Sequence, residues 1–350
     1  MMIRGAATAA TVAVAAVLAS GCSGSGAVKQ PTQPATASSA SPTKSASAAH
    51  SPAPGIGLLG KFKTSQRWLG FTEPAHTGPT GENLGPRTLR VQIWYPLARA
   101  AATAGRPAAG PLPLIAFGPG FMQCGKPYSR LLRAWASAGY VVEVVNFPLS
   151  DCHAAAPTEA DMVNQPADMT YAITRLLRLR ASSRGPLRAL RVSPHQIGVA
   201  GQSDGGDTVA AVGASACCAD HRVAAVAVLS GARWPAFPGA YFATRPVPML
   251  FTQGSADTVN LPGCSVALYH ADPARARYYL DLFGADHLTP YWGSNSFERV
   301  VARVSVAFFD RYVLGLAAAG HRMRRLGDVP GTAALFSHGG GHLPPGPCVT

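Results

Sequence analysis

Charge is scarce in this chain: Asp, Glu, Lys and Arg make up 13% of its 350 residues, and aromatic residues another 8%. So thin a supply of charge excludes a coiled coil, whose flanking positions depend on it. A wholly disordered chain is excluded too, because 47% of the residues are apolar and can offset the entropy of ordering. The length alone allows one large domain or two smaller ones. No Cys-x-x-Cys pair or Cys/His spacing of a zinc site occurs. Acidic residues are the scarcest charges, 17 against 30 Lys and Arg, for a formal charge of +13. Such a balance invites a nucleic-acid reading. The cations are nevertheless spread along the chain, apart from Arg-rich stretches at 175–191 and 322–325, and no nucleic-acid motif accompanies them. The charge instead predicts a basic surface drawn to anionic lipid or wall polymer.

The first residues read as a targeting segment. A short positive start, Met1–Arg4, precedes a small-residue apolar run over 5–19 and then Ser20, Gly21 and Cys22, the tripartite pattern of a secretory signal. The apolar run falls short of the ~20 residues that cross a bilayer. Leu18-Ala19-Ser20-Gly21-Cys22 resembles a bacterial lipobox, although Ala19 stands where that motif usually has Leu. Lipidation at Cys22 is therefore expected, with ordinary cleavage and an uncleaved anchor as alternatives. Residues 23–54 are almost entirely Ser, Ala, Pro, Thr and Gly, with two Lys and no Phe, Trp or Tyr, a tether with too little apolar surface to fold. A folded catalytic domain over 55–315 and a C-terminal extension over 316–350 complete the expected organisation. Without Cys22, six of the seven cysteines remain. An even number in an exported protein predicts disulfides, with connectivity open at this point.

From residue 87 the hydrophobic period switches repeatedly. Leu89, Val91, Ile93 and Tyr95 alternate with Arg90, Gln92 and Trp94 as a half-buried strand. Short apolar runs at 112–117, 141–145, 197–200, 223–229, 249–252 and 278–283 read as buried strands. Between them, 128–138, a segment opening at Pro166, 204–216 and 296–314 carry helical spacing. Such alternation predicts an α/β fold with a mostly parallel sheet of about eight strands and helices on both faces, its chemistry on loops at the strands' carboxyl ends.

One such loop carries Gly201-Gln202-Ser203-Asp204-Gly205-Gly206, between an apolar strand and a helix. G-x-S-x-G there is the nucleophile elbow: a serine in a strained turn needs flanking residues without side chains so that strand and helix can approach. A plain βα turn with a capping serine is the duller alternative. A serine nucleophile needs a base held by a carboxylate. Asp257, after the strand at 249–252, and His287, after the strand at 278–283, stand in the required chain order. Asp286 adjoins His287, but neighbouring side chains on an extended loop diverge, so Asp257 is the expected acid. The oxyanion donors should be the N–H of Asp204 and that of Phe121, or else Met122, on the Gly-rich loop after residue 117.

On the strength of Phe117-Gly118-Pro119-Gly120-Phe121, Gln165–Asp168, Gly201–Gly206, Gly254–Asp257 and Asp286-His287, the chain resembles α/β-hydrolases. It is closest to secreted serine esterases of the platelet-activating-factor acetylhydrolase, dienelactone-hydrolase and polyester-hydrolase kinds. The resemblance implies an α/β-hydrolase fold without a large cap domain and the triad Ser203, Asp257 and His287, with no metal or cofactor required. It also places the loops bearing Cys124 and Cys152 side by side, implying a disulfide between them. Cys217 and Cys218 should not reach Cys264. Met122, Trp234, Phe237 and Trp292 are candidate lining of the substrate pocket. The expected activity is exported, lipid-anchored hydrolysis of small-molecule or polymer carboxylic esters, with no nucleic-acid partner. Amide or thioester hydrolysis, acyl transfer, and a non-catalytic binding lipoprotein on the same scaffold are the alternatives.

Overall fold

The computed structural model describes residues 59–78, 81–98, 107–179, 186–338, 343 and 348. They belong to one compact unit, Ser51–Thr350. The signal-like segment, Cys22 and the tether at 23–54 lie outside the described residues.

Among the described residues nine strands form one sheet: β1 (Thr64–Glu73), β2 (Arg87–Pro96), β3 (Leu112–Gly118), β4 (Val141–Asn146), β5 (Val192–Gln202), β6 (Val223–Leu229), β7 (Met249–Gly254), β8 (Arg277–Leu282) and β9 (Ala333–Ser337). Their order is β1-β2-β4-β3-β5-β6-β7-β8-β9. The six strands from β4 to β8 in this order are parallel. β1, β2 and β9 run antiparallel at the two ends. Every residue of β3, β4 and β7 is buried. Since successive side chains point to opposite faces, both faces of the sheet are covered. The helices are α1 (Ser129–Ser137), α2 (Gln165–Leu177), α3 (Asp204–Ala214), α4 (Pro262–Ala271), α5 (Ser296–Tyr312) and α6 (Ala317–Gly327).

Buried polar contacts fix how the helices sit. Trp135 of α1 donates its indole N–H to Ser305 of α5 at 2.8 Å. Tyr140 donates to Asp310 of α5 at 2.9 Å, and Arg322 of α6 pairs with the same carboxylate. Arg87 of β2 grips Asp168 of α2 through Nε and Nη2, each at 2.7 Å, and Asp161 at 2.5 Å. A planar guanidinium suits such a two-pronged hold, which fastens the start of α2 over the sheet.

The sheet has nine strands rather than about eight, and the folded body does not stop near 315. β1 is a polar edge strand with a single buried residue, Phe71, so it lacks the alternation that marks β2. The supposed extension supplies α6 and β9, and β9 pairs with β8 from Ala333 to Ser337. Cys348 is bonded to Cys264 of α4, and Cys217 and Cys218 are bonded to each other.

Cys124 and Cys152 are bonded, and the same two loops are clasped by Met122 N–H donating to Ser150 O at 2.7 Å. Closing a 28-residue separation restricts the unfolded chain, which is worth about 3 kcal/mol. A Cys124→Ser/Cys152→Ser protein should lose about that much in urea unfolding of the non-reduced protein. Equal stability with and without the bond would refute this account.

Candidate active site

Ser203 stands between the end of β5 and the start of α3 with φ 55° and ψ −125°, a conformation that costs a non-glycine residue about 1–3 kcal/mol. The flanking glycines explain how the chain tolerates it. A Cβ on Gly201 would lie 1.9 Å from Gly205 O, and one on Gly205 would lie 2.0 Å from Gly118 O. Helix, strand and the loop after β3 therefore meet backbone to backbone around the hydroxyl. On the far side, a Cβ on Gly120 would lie 3.1 Å from Ser203 Cβ, so that loop abuts the nucleophile candidate.

The parallel sheet brings in the other two residues. β7 ends at Gly254 and delivers Asp257; β8 ends at Leu282 and the following loop delivers His287. His287 Nδ1 lies 2.7 Å from Asp257 Oδ2, and Nε2 lies 3.0 Å from Ser203 Oγ. With Nδ1–H donating to the carboxylate, Nε2 holds the lone pair that accepts the serine proton. Asp257 and His287 are both buried, at 2% and 7% exposure. The carboxylate also accepts from Gln253 Nε2 at 2.8 Å, Val259 N–H at 2.9 Å and Asn260 N–H at 3.1 Å. Asp286 faces its own turn, accepting from the N–H groups of Leu288 and Thr289, and these bonds hold its carboxyl below the usual range.

The backbone donors near Ser203 sort themselves by what they already bind. Gly120 N–H goes to Tyr128 Oη at 3.2 Å, and Met122 N–H to Ser150 O. That of Phe121 has no acceptor among the described residues, and that of Asp204 meets only its own side-chain carboxyl. Asp204 opens α3, where helical N–H groups are unpaired by construction. Burial, reinforced by Glu159, pushes the Asp204 carboxyl up to about 7. Near neutrality it is therefore partly protonated, which limits the negative charge beside a developing oxyanion.

Tyr128, Gln202 and Gln253 are absent from the sequence-based set. Tyr128 Oη donates to Gln202 Oε1 at 2.7 Å, and Gln202 Nε2 donates to His287 O at 3.2 Å and lies 3.2 Å from His287 Nε2. Gln253 Oε1 in turn accepts from Ser265 at 2.6 Å. The variable position of G-x-S-x-G thus steadies the imidazole, and Gln253 steadies the acid.

The expected pocket residues divide. Met122 is 52% exposed on the loop that abuts Ser203. Trp292 lies edge-on to Tyr128, 6.0 Å between centroids, next to the Gln202–His287 contacts. Trp234 is half-buried, with its backbone N–H donating to Tyr241 Oη at 3.2 Å. Phe237 is only 3% exposed and packs on Tyr241. No protein-family model matches the chain, and no curated protein does.

Proposed function

We propose that the protein is an exported serine hydrolase of the α/β-hydrolase fold that cleaves carboxylic esters. The observation that carries this reading is the hydrogen-bonded series Ser203–His287–Asp257, assembled from three loops beyond three parallel strands. In the first step Ser203 Oγ attacks the ester carbonyl carbon while its proton passes to His287 Nε2. The N–H groups of Phe121 and Asp204 receive the oxyanion. Collapse breaks the bond to the alcohol oxygen, which takes the proton from Nε2, leaving an acyl-serine. Water then attacks the acyl carbon, giving its proton to the same nitrogen, and the carboxylic acid leaves as Ser203 regains its hydrogen. Asp257 holds the Nδ1–H tautomer and balances the imidazolium charge.

The connection from β6 to β7 holds no helix or strand among the described residues, which suits an open site for small or extended esters better than a capped one. Export, with a lipid at Cys22, follows from the N-terminal pattern and is supported by the bonded cysteines. A fluorophosphonate probe should label the wild-type protein at Ser203 and leave Ser203→Ala unlabelled. A scaffold that only binds would leave the wild type unlabelled as well, and that result would overturn the reading.

A further inference from the structure

A groove of about 930 Å³ runs between β1, β2, α1 and α5, away from the serine. Six cations line it: Lys63 and Arg67 from β1 and the residue before it, Arg130 and Arg133 from α1, and Arg299 and Arg303 from α5. The one acid in the wall, Glu298, is spoken for by Arg130 at 3.6 Å. The charged groups of Lys63, Arg299 and Arg303 have no hydrogen-bond or ion-pair partner among the described residues. The wall also contains Trp94, which is 4% exposed yet has an indole N–H without an acceptor. Arg133 lies over its ring at 5.8 Å. A trough with a net local charge of this sign and a buried donor without an acceptor is built to take anionic oxygen atoms.

We propose that this groove holds the phosphate groups of anionic lipids at a membrane surface, giving the enzyme a second hold on the bilayer beyond its lipid anchor. Preferring a bilayer to another polyanion rests on the anchored reading of Cys22 and on two side chains, Leu59 in the groove wall and Trp68 on β1 next to the lining residue Arg67. Leu59 and Trp68 are 40% and 49% exposed, the amphipathic kind of residue that settles at headgroup level. Gln66, which lines the groove, bonds Gln92, and Gln92 Oε1 would lie 2.4 Å from a Cβ on Gly125. Gly125 belongs to the loop carrying Phe121 and Met122. A bilayer seated on the groove therefore lies on the same side of β2 as the loop that abuts Ser203.

The test uses full-length Cys22→Ser protein, which cannot be acylated, and vesicle co-sedimentation. Binding should occur to phosphatidylglycerol–phosphatidylcholine vesicles, not to pure phosphatidylcholine, and should weaken with salt. Adding Lys63→Ala, Arg299→Ala and Arg303→Ala should weaken it about a hundredfold. Removing the same charge elsewhere, with Arg188→Ala, Arg324→Ala and Arg325→Ala, should cost far less. Equal losses in the two triple variants, no binding to the anionic vesicles, or binding only to soluble polyphosphate would overturn the proposal. Absence of acylation in the wild type, with vesicle binding intact, would instead remove the anchor and leave the groove standing.

Discussion

Ser203→Ala and His287→Ala should each lower kcat on a chromogenic ester by about a millionfold, and the double variant should be no slower than either. The reason is the geometry of one proton path. Ser203 Oγ is nucleophilic only while Nε2 at 3.0 Å takes its proton, so either loss disables the same step. What survives in all three is catalysis by the oxyanion donors and binding alone, since Phe121 and Asp204 N–H groups belong to the backbone. Asp257→Asn should cost less, about ten-thousandfold. Three donors besides the imidazole converge on that carboxylate, from Gln253, Val259 and Asn260. An amide there must turn its NH2 toward one of the four donors. Where it faces Nδ1, it stabilises the tautomer whose Nε2 already carries hydrogen and cannot accept from serine. Losses that multiply across Ser203→Ala and His287→Ala, or a His287→Ala protein that keeps a tenth of its rate, would show that the contact is structural.

The hydrogen-bonded series Ser203–His287–Asp257 was legible because each member sits in a signal that depends only on neighbours in sequence. Gly201 and Gly205 betray the elbow, and the ends of two apolar runs point to Asp257 and His287. The Cys124–Cys152 bond followed from the neighbouring loops of the resembled fold. What escaped was whatever depends on distance in space alone. Gln202, Gln253 and Tyr128 are ordinary polar residues whose roles arise when β5, β7 and the residue before α1 come together. β1 escaped because an edge strand exposed along much of its length has no reason to alternate. β9 is short and only its first residue, Ala333, is fully buried, while the bond from Cys348 spans 84 residues to Cys264.

Replacing Glu143 by Gln should stabilise the protein at pH 8 by on the order of 4 kcal/mol and change little at pH 4. Glu143 is the third residue of β4, within Val-Val-Glu-Val-Val, and is completely buried. Neither carboxyl oxygen has a hydrogen-bond partner among the described residues. Burial pushes its carboxyl up from 4.5 to about 8, against a smaller pull downward from Arg222. The folded state therefore keeps the proton over a range in which the unfolded chain has lost it. The wild type's stability relative to Glu143→Gln is complete below pH 4.5, falls as pH rises through that window, and levels off above about 8. Asp204, Asp168 and Asp310, whose carboxyls burial raises to between about 6 and about 7, titrate in the same window. They are common to both proteins and cancel in the difference. Urea unfolding of the pair from pH 4 to 9 reads the difference directly, and a flat difference would mean that Glu143 is charged or solvated in the folded protein. The isosteric amide should leave ester hydrolysis intact, because β4 lies two strands from β5 in the sheet order and supplies none of the proposed catalytic groups. A glutamic acid in the centre of a covered sheet thus works against the fold at neutral pH, and the charge-poor sequence around it provides no counter-ion close enough to reverse the sign.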